Sequence, residues 1–278
     1  MQGECKMKLK KLAALTLSVL MAGALFAGCG SKPANAPASS APSGESDLSY
    51  ITDKGKMIIG ITDYEPMDYR DANGEWTGFD AEFAKAVCEK LGVEPEFIEI
   101  DWDNKALELD AKSIDCVWNG MTLTEEVEKA MECTDAYVEN SQVVVMAKDK
   151  VDSFQDADSM KELKFVAEAG SAGEKAIKEA GLDAAYTAVG TQTDALMEVA
   201  SGSSDACVID ITMANAMTGE GTSYANLKGG IALTTEEYVI GFRKGSDAAK
   251  KVNELMAEMK ADGTLEALAS KYELTLAK

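Results

Sequence analysis

Two rhythms of apolar and polar positions alternate along the chain. Lys56-Met57-Ile58-Ile59-Gly60-Ile61 is a short β-rich run ending at Thr62-Asp63. After Gly78, the residues Phe79, Phe83, Val87 and Leu91 recur at helical spacing, with Asp80 as the expected N-cap and Gly92 as the stop. Glu94 to Ile100 predicts a second strand, Ala106 to Lys112 a short helix and Ile114 to Trp118 a third strand. Strands interleaved with helices in this way mark an open α/β sheet. The pattern repeats more loosely, with strands over Gln142–Met146 and Leu163–Ala167, helices over Glu174–Ala180 and Thr193–Ala200, and a buried strand over Ala206–Ile211. Tyr238 to Phe242 returns as a strand, and two helices, Ala248–Ala261 and Leu265–Lys271, close the chain. Two α/β units joined by more than one crossing predict two lobes with a cleft between them. In such sheets ligands bind at the carboxyl ends of the strands.

Composition narrows what the cleft can do. The 278 residues carry a formal net charge of −21, and residues 1–28 hold more lysine than acid, so the remainder is more acidic still. Such a surface repels nucleic acid and anionic lipid. The chain contains 0 histidines, which excludes Ser-His-Asp and Cys-His catalysis and His-ligated metals. Cys88, Cys116, Cys133 and Cys207 show no CxxC spacing, so no metal site or cofactor is expected. Buried free thiols are the favoured reading; a Cys116–Cys133 disulfide is the alternative.

The N-terminus predicts an address. Lys8, Lys10 and Lys11 precede an apolar run from Leu12 to Phe26, and the small residues Ala27-Gly28 lead directly to Cys29. This is the layout of a signal peptide with its cleavage site. The run is shorter than the ~20 residues of a bilayer crossing. The segment resembles the lipobox of bacterial lipoproteins, with Phe26 where an aliphatic residue is usual. The resemblance implies that residues 1–28 are removed and that Cys29 becomes the lipidated N-terminus, anchoring an extracytoplasmic protein to the cell membrane. An ordinary secretory signal with an incidental cysteine is the alternative, and Met7 is a candidate start. Gly30 to Asp47 are mostly Gly, Ser, Ala and Pro, too poor in bulky apolar groups to offset the entropy of ordering. Residues 29–48 therefore read as a flexible tether.

The folded part resembles the extracellular solute-binding proteins of polar amino-acid ABC transporters. The matching segments include Gly60 to Met67, Gly74 to Asp80 (GEWTGFD), Asn119-Gly120-Met121-Thr122-Leu123-Thr124, Thr134-Asp135-Ala136-Tyr137, Ala169-Gly170-Ser171-Ala172-Gly173-Glu174, Val208-Ile209-Asp210 and Lys260 to Thr264. The resemblance implies a two-lobed periplasmic-binding-protein (Venus flytrap) fold with a two-crossover hinge. Lobe 1 would be 49–139 plus 236–278 and lobe 2 would be 143–234. The crossings would lie at Glu139-Asn140-Ser141-Gln142 and Leu233-Thr234-Thr235-Glu236.

It also implies a ligand set. Tyr64 and Trp102 would sandwich the ligand side chain, since flat π-faces suit aliphatic stems and cationic heads alike. Asn119, Gly120 and Thr122 would meet the ligand backbone. Ser171 and Ala172 would offer main-chain N–H groups at a helix N-terminus. Asp210 would accept the α-ammonium, with capping of the following helix as its rival role. Asp63 would face a distal polar or cationic group. In the family an arginine follows Thr-Pro-Glu and clamps the α-carboxylate; here Thr124-Glu125-Glu126-Val127 places Val127 at that position. Loss of a bidentate, charge-assisted contact weakens carboxylate binding. Glu168, two residues before Gly170, is expected to face the pocket or to be solvated. The expected function is the substrate-binding component of an ABC importer: a monomer, not an enzyme, delivering an amino acid or related amine to a membrane permease and favouring positively charged ligands. The rivals are an exported dehydratase-like enzyme on the same fold, and an extracellular ligand-sensing module.

Overall fold

The structure is a computed structural model, and it describes residues 46–278. The leader, Cys29 and most of the tether lie outside the described residues. Helix α1 (Asp47–Asp53) leads into strand β1 (Lys56–Ile61), a small hairpin of β2 (Tyr69–Arg70) and β3 (Trp76–Thr77), and helix α2 (Phe79–Leu91). Then come β4 (Glu94–Glu99), α3 (Lys105–Asp110), β5 (Cys116–Thr122), α4 (Glu125–Ala130), β6 (Met131–Cys133) and β7 (Val138–Asn140). The next stretch holds β8 (Gln142–Ala147), β9 (Phe165–Glu168), α5 (Ala172–Glu179), β10 (Tyr186–Val189), α6 (Gln192–Ser201), β11 (Ala206–Asp210), α7 (Ile211–Met217) and β12 (Leu227–Ala232). Strand β13 (Glu236–Arg243) and helices α8 (Ala248–Ala261) and α9 (Thr264–Lys271) complete the chain.

The strands form two main sheets. One has the order β4-β1-β5-β13-β6, with β7 also paired to β13; the other has the order β10-β9-β11-β8-β12. Each mixes parallel pairs, such as β1 with β4 and β9 with β10, with antiparallel ones, such as β5 with β13 and β8 with β11. The central strands β5, β8 and β11 are buried nearly throughout, which matches the apolar runs of β8 and β11, while β5 buries Asn119, Gly120 and Thr122 as well. The chain passes from the first sheet to the second at Asn140–Gln142 and returns through residues 233–235. The two crossings bond to each other: Leu233 N–H donates to the Gln142 carbonyl at 2.8 Å, and Gln142 N–H donates to Thr234 Oγ1 at 2.9 Å. Two α/β sheets joined by two crossings agree with the two-lobed architecture that the resemblance implied. No helix among the described residues is long and apolar enough to cross a membrane.

Two local expectations are corrected. Asp80 does not cap α2: Gly78 occupies the N-cap with φ +114°, and a Cβ there would lie 2.2 Å from the Met67 carbonyl oxygen. Only glycine fits that approach. Asp80 is instead buried inside the first turn, where it accepts the Gly120 N–H at 2.6 Å and the Tyr137 hydroxyl at 2.8 Å. The third strand, expected over Ile114 to Trp118, starts at Cys116 and runs on to Thr122, so it includes the Asn-Gly-Met-Thr segment. The alternative of a Cys116–Cys133 bond is also decided: Cys88, Cys116, Cys133 and Cys207 are all free thiols.

Candidate ligand-binding site

A cavity of about 440 Å³ lies between the two sheets. Trp102, Lys105, Gly120, Thr122 and Val127 line it from the β5 side, and Glu168, Ser171, Ala172, Gln192 and Asp210 from the β9–β11 side. The volume suits a small polar molecule. Its wall is made of strand ends and helix starts. Thr122 closes β5, Glu168 closes β9 and Asp210 closes β11, while Ala172 and Gln192 open α5 and α6. This is where an open α/β sheet binds ligands, because the strands' carboxyl ends meet the helices' N-termini there.

Nine of the sequence-derived candidates line this cavity: Trp102, Asn119, Gly120, Thr122, Val127, Glu168, Ser171, Ala172 and Asp210. Asp63 and Tyr64 do not. Tyr64 is 1% exposed; its ring packs behind Gly120, where an added Cβ would sit 2.6 Å from Tyr64 Cε1. Its hydroxyl is spent on Thr212 Oγ1 at 2.5 Å and on the Tyr238 hydroxyl. An aromatic ring with a satisfied polar tip is core, so Tyr64 supports the cavity wall rather than forming it. Asp63 is exposed, and its carbonyl accepts from Thr193 Oγ1 at 3.4 Å. Partial burial and the nearby Glu99 raise its carboxyl above the usual range while Arg70 lowers it, outside the cavity.

Several lining side chains are already engaged. The Asn119 amide accepts from Thr62 N–H at 3.0 Å and donates to the Thr62 carbonyl at 3.0 Å and to Asp68 at 2.8 Å, so it fixes β1 to β5. Thr122 Oγ1 donates to Glu236 at 2.7 Å. Ser171 Oγ caps α5 by accepting Glu174 N–H at 3.1 Å while lining the cavity. Asp210 starts α7 but makes no side-chain cap, so its rival role falls away. Its carboxylate accepts from Asn140 and, at 2.8 Å, from Gln142 on Oδ1, and from Gln192 at 2.5 Å on Oδ2. Oδ2 keeps a lone pair for a further donor. Asn140 and Gln142 also donate to Glu236 Oε1, each at 2.7 Å. Burial and the negative Glu236 push the Asp210 carboxyl up to about 7.

The remaining charges are less well matched. Glu168 is 2% exposed, and its Oε1 has no hydrogen-bond partner. Burial first, then the charge of Asp210, raise its carboxyl to about 8, while Lys105 pulls it down. Val127 lines the cavity where a guanidinium clamp would stand, and both arginines of the chain lie elsewhere. Arg243 bonds Asp47 and Asp115, and Arg70 lies over Trp76 and pairs with Glu99. Lys105 went unnoticed in the sequence. Its Nζ lies 4.7 Å from the centroid of the Trp102 ring, so a cation of the chain itself covers one face of that indole. Gln142 and Gln192, which hold Asp210, went unnoticed as well.

The description "Bacterial extracellular solute-binding proteins, family 3" matches residues 57–275, nearly all of the two-sheet fold. The chain belongs to this family. The solute-binding protein is 28% identical to the L-cystine-binding protein TcyJ of Escherichia coli (strain K12), over 96% of this chain and 97% of that one. It is 31% identical to the ABC transporter glutamine-binding protein GlnH of Bacillus subtilis (strain 168), over 95% and 97%. Among solved structures it is similar to the ancestral amino acid-binding protein AncCDT-1, a precursor of cyclohexadienyl dehydratase. That likeness has a TM-score of 0.75 and 31% identity, and covers 82% of this chain and 99% of the other. The protein's role is that of the substrate-binding component in amino-acid transport.

Proposed function

We propose that the protein captures an amino acid or a related amine between its two sheets and hands it to an ABC permease. The observation that carries this reading is the cavity itself, because a ligand there touches both sheets at once. Contacts to both sides favour the closed arrangement over the open one by the ligand's differential affinity, and no other energy source is needed. The lobes would be 49–139 plus 236–278 and 143–234, turning about the crossings at 139–142 and 233–236. Asp210 would accept the α-ammonium at its free lone pair. The main-chain N–H of Ala172, with Gly120 and Thr122, would meet the ligand backbone, since the Ser171 N–H already donates to the Glu168 carbonyl at 3.3 Å, and Trp102 would pack on its stem. With Val127 at the clamp position and Glu168 unpaired, the cleft favours ligands carrying positive charge over glutamate or aspartate.

The protein acts as a monomer and not as an enzyme in this reading. The likeness to a dehydratase precursor makes one check necessary: a ligand recovered unchanged after incubation supports binding, and a product overturns it. The site would work outside the cytoplasm, held to the membrane through a lipid on Cys29. Cys29→Ser should then move the protein to the soluble fraction; retention in the membrane fraction refutes the anchor. Binding itself is tested by calorimetry across lysine, arginine, their decarboxylated amines, a neutral amino acid and glutamate, with solution scattering at saturation. Tightest binding of glutamate refutes the charge preference, and an unchanged radius of gyration refutes closure.

A further inference from the structure

Three lysines line the cavity, and two are already paired. Lys175 Nζ meets Glu126 at 2.9 Å, and Lys178 Nζ meets Glu174 at 2.6 Å. Lys105 differs. Its Nζ donates to the Trp102 carbonyl at 3.1 Å and to the Gly170 carbonyl at 2.9 Å, and among the described residues no carboxylate oxygen lies within 4.0 Å of it. An ammonium carries three protons, so one remains uncommitted. The ammonium is partly withdrawn from water with no carboxylate in contact, which favours the arrival of an anion. Burial lowers its pKa, against the pull of the more distant Glu168, Asp103, Asp101 and Glu174.

Its position is specific as well. Trp102 belongs to the β4–α3 connection on the first sheet, and Gly170 to the β9–α5 connection on the second, so Lys105 spans the cleft. The α5 N-terminus, with Ser171 and Ala172 lining the cavity, follows directly from Gly170. An anion held by Lys105 would therefore also lie beside the start of α5, where Ser171 Oγ takes the Glu174 N–H and those of Ala172 and Gly173 have no acceptor inside the helix. Across the same cavity Glu168 has an unpartnered buried oxygen. An ammonium with a proton to spare and a carboxyl with a free oxygen, lining one cavity, suit a ligand that brings an anion to the first and a cation that ionises the second as it binds.

We propose that Lys105 is the carboxylate-binding residue of this cleft, taking the role that an arginine at residue 127 would have, with Glu168 answering a cationic group on the ligand's side chain. This rests on the reading of the cleft as an amino-acid site, and it narrows the substrate class to amino acids that keep a free carboxylate and carry a second cation. It also places the carboxylate contact on the span between the lobes, so the carboxylate is gripped fully only when the cleft is shut.

The test compares each amino acid with its decarboxylated counterpart. L-arginine with agmatine, and L-glutamine with 4-aminobutanamide, are titrated calorimetrically into the wild type, Lys105→Met, Lys105→Arg and Glu168→Gln, with thermal melts of each variant as the folding control. The wild type should bind L-arginine about tenfold or more tightly than agmatine, as a charge-assisted bond implies. Lys105→Met should collapse that ratio to about twofold or less, and Lys105→Arg should preserve it. Glu168→Gln should weaken L-arginine and agmatine by the same factor and leave their ratio intact. Equal losses of both ligands in Lys105→Met would make Lys105 a latch between lobes and overturn the assignment. L-glutamine binding in preference to L-arginine would overturn the role of Glu168. No heat from either amino acid would sink the amino-acid reading itself, a result distinct from an altered ratio.

Discussion

Replacing Glu168 by glutamine should stabilise the ligand-free protein at neutral and alkaline pH and have little effect at pH 4. The side chain is 2% exposed, one oxygen lacks a partner, and burial raises its carboxyl from 4.5 to about 8. In the unfolded chain the group ionises near 4.5, whereas in the folded protein it holds its proton up to about 8. The folded state therefore binds the extra proton between these values, and stability falls as pH rises through that window. At ~1.4 kcal/mol for each pH unit, the closed form loses about 3 kcal/mol by pH 7. Opening of the cleft hydrates the carboxylate and relieves part of this, so the gain in Glu168→Gln should lie between about 1 and 3 kcal/mol at pH 7. Urea titrations of wild type and variant at pH 4, 7 and 9 measure it. A gain that grows from pH 4 to pH 9 is the expected result. A variant less stable than wild type at pH 9, or a difference that does not change with pH, would refute the reasoning. A saturating cationic ligand should abolish the variant's advantage, because it supplies the missing counter-charge.

Val127→Arg should tighten binding of amino acids by about tenfold and leave their decarboxylated amines unchanged or weakened, read by calorimetry, because a guanidinium adds a bidentate carboxylate contact. Gly120→Ala should destabilise the fold by about 2–4 kcal/mol in thermal or denaturant unfolding, from left-handed strain plus overpacking. The φ of Gly120 is +55°, and the new methyl would lie 2.6 Å from the Tyr64 ring. Thiol alkylation at pH 8 should spare Cys88, Cys116 and Cys207 in the folded protein and modify Cys133 slowly, read by mass spectrometry. The first three are buried, and the half-buried Cys133 thiol is pushed up to about 11 by burial.

The sequence made the long-period elements legible and left short or edge elements obscure. Helix α2 follows its Phe79, Phe83, Val87 spacing, and β8 and β11 follow continuous apolar runs that no amphipathic helix would tolerate. Strand β10 was missed because its residues are half-buried or exposed, and β6 and β7 because three residues carry no period. Helix α7 was anticipated only as the helix that Asp210 could cap, and its first residue Ile211 was assigned to β11, whose apolar character it continues. In the site, the resemblance to solute-binding proteins pointed to Thr122, Glu168 and Asp210, which the structure places at strand ends. It could not tell which face of the β1–α2 loop Tyr64 presents, because that depends on Thr212 and Tyr238, far away in sequence. Lys105 sits among Asp101, Asp103 and Glu108 and reads as part of a solvated acidic stretch. Its significance depends on a carbonyl 65 residues away. Gln142, named only as part of a crossing, and Gln192 were missed as supports for a similar reason: an amide signals little until the carboxylates it holds are seen, Asp210 and Glu236 for Gln142 and Asp210 for Gln192.

The bonded crossings have a mechanical consequence. Two independent linkers would let the halves of the molecule slide, tilt and rotate separately. Here the strands leaving for the second sheet and returning from it are stitched together at Gln142, Leu233 and Thr234, and Asn140 and Gln142 tie Asp210 to Glu236 across the same point. Sliding would break these bonds together, whereas bending and twisting about the stitch leave them intact. The molecule is left with a narrow set of soft coordinates, and a partner that touches both halves can sense occupancy as a single angle. The amides that define that axle also hold a carboxylate of the ligand chamber, so what fills the chamber and how far the axle turns are set by the same few atoms.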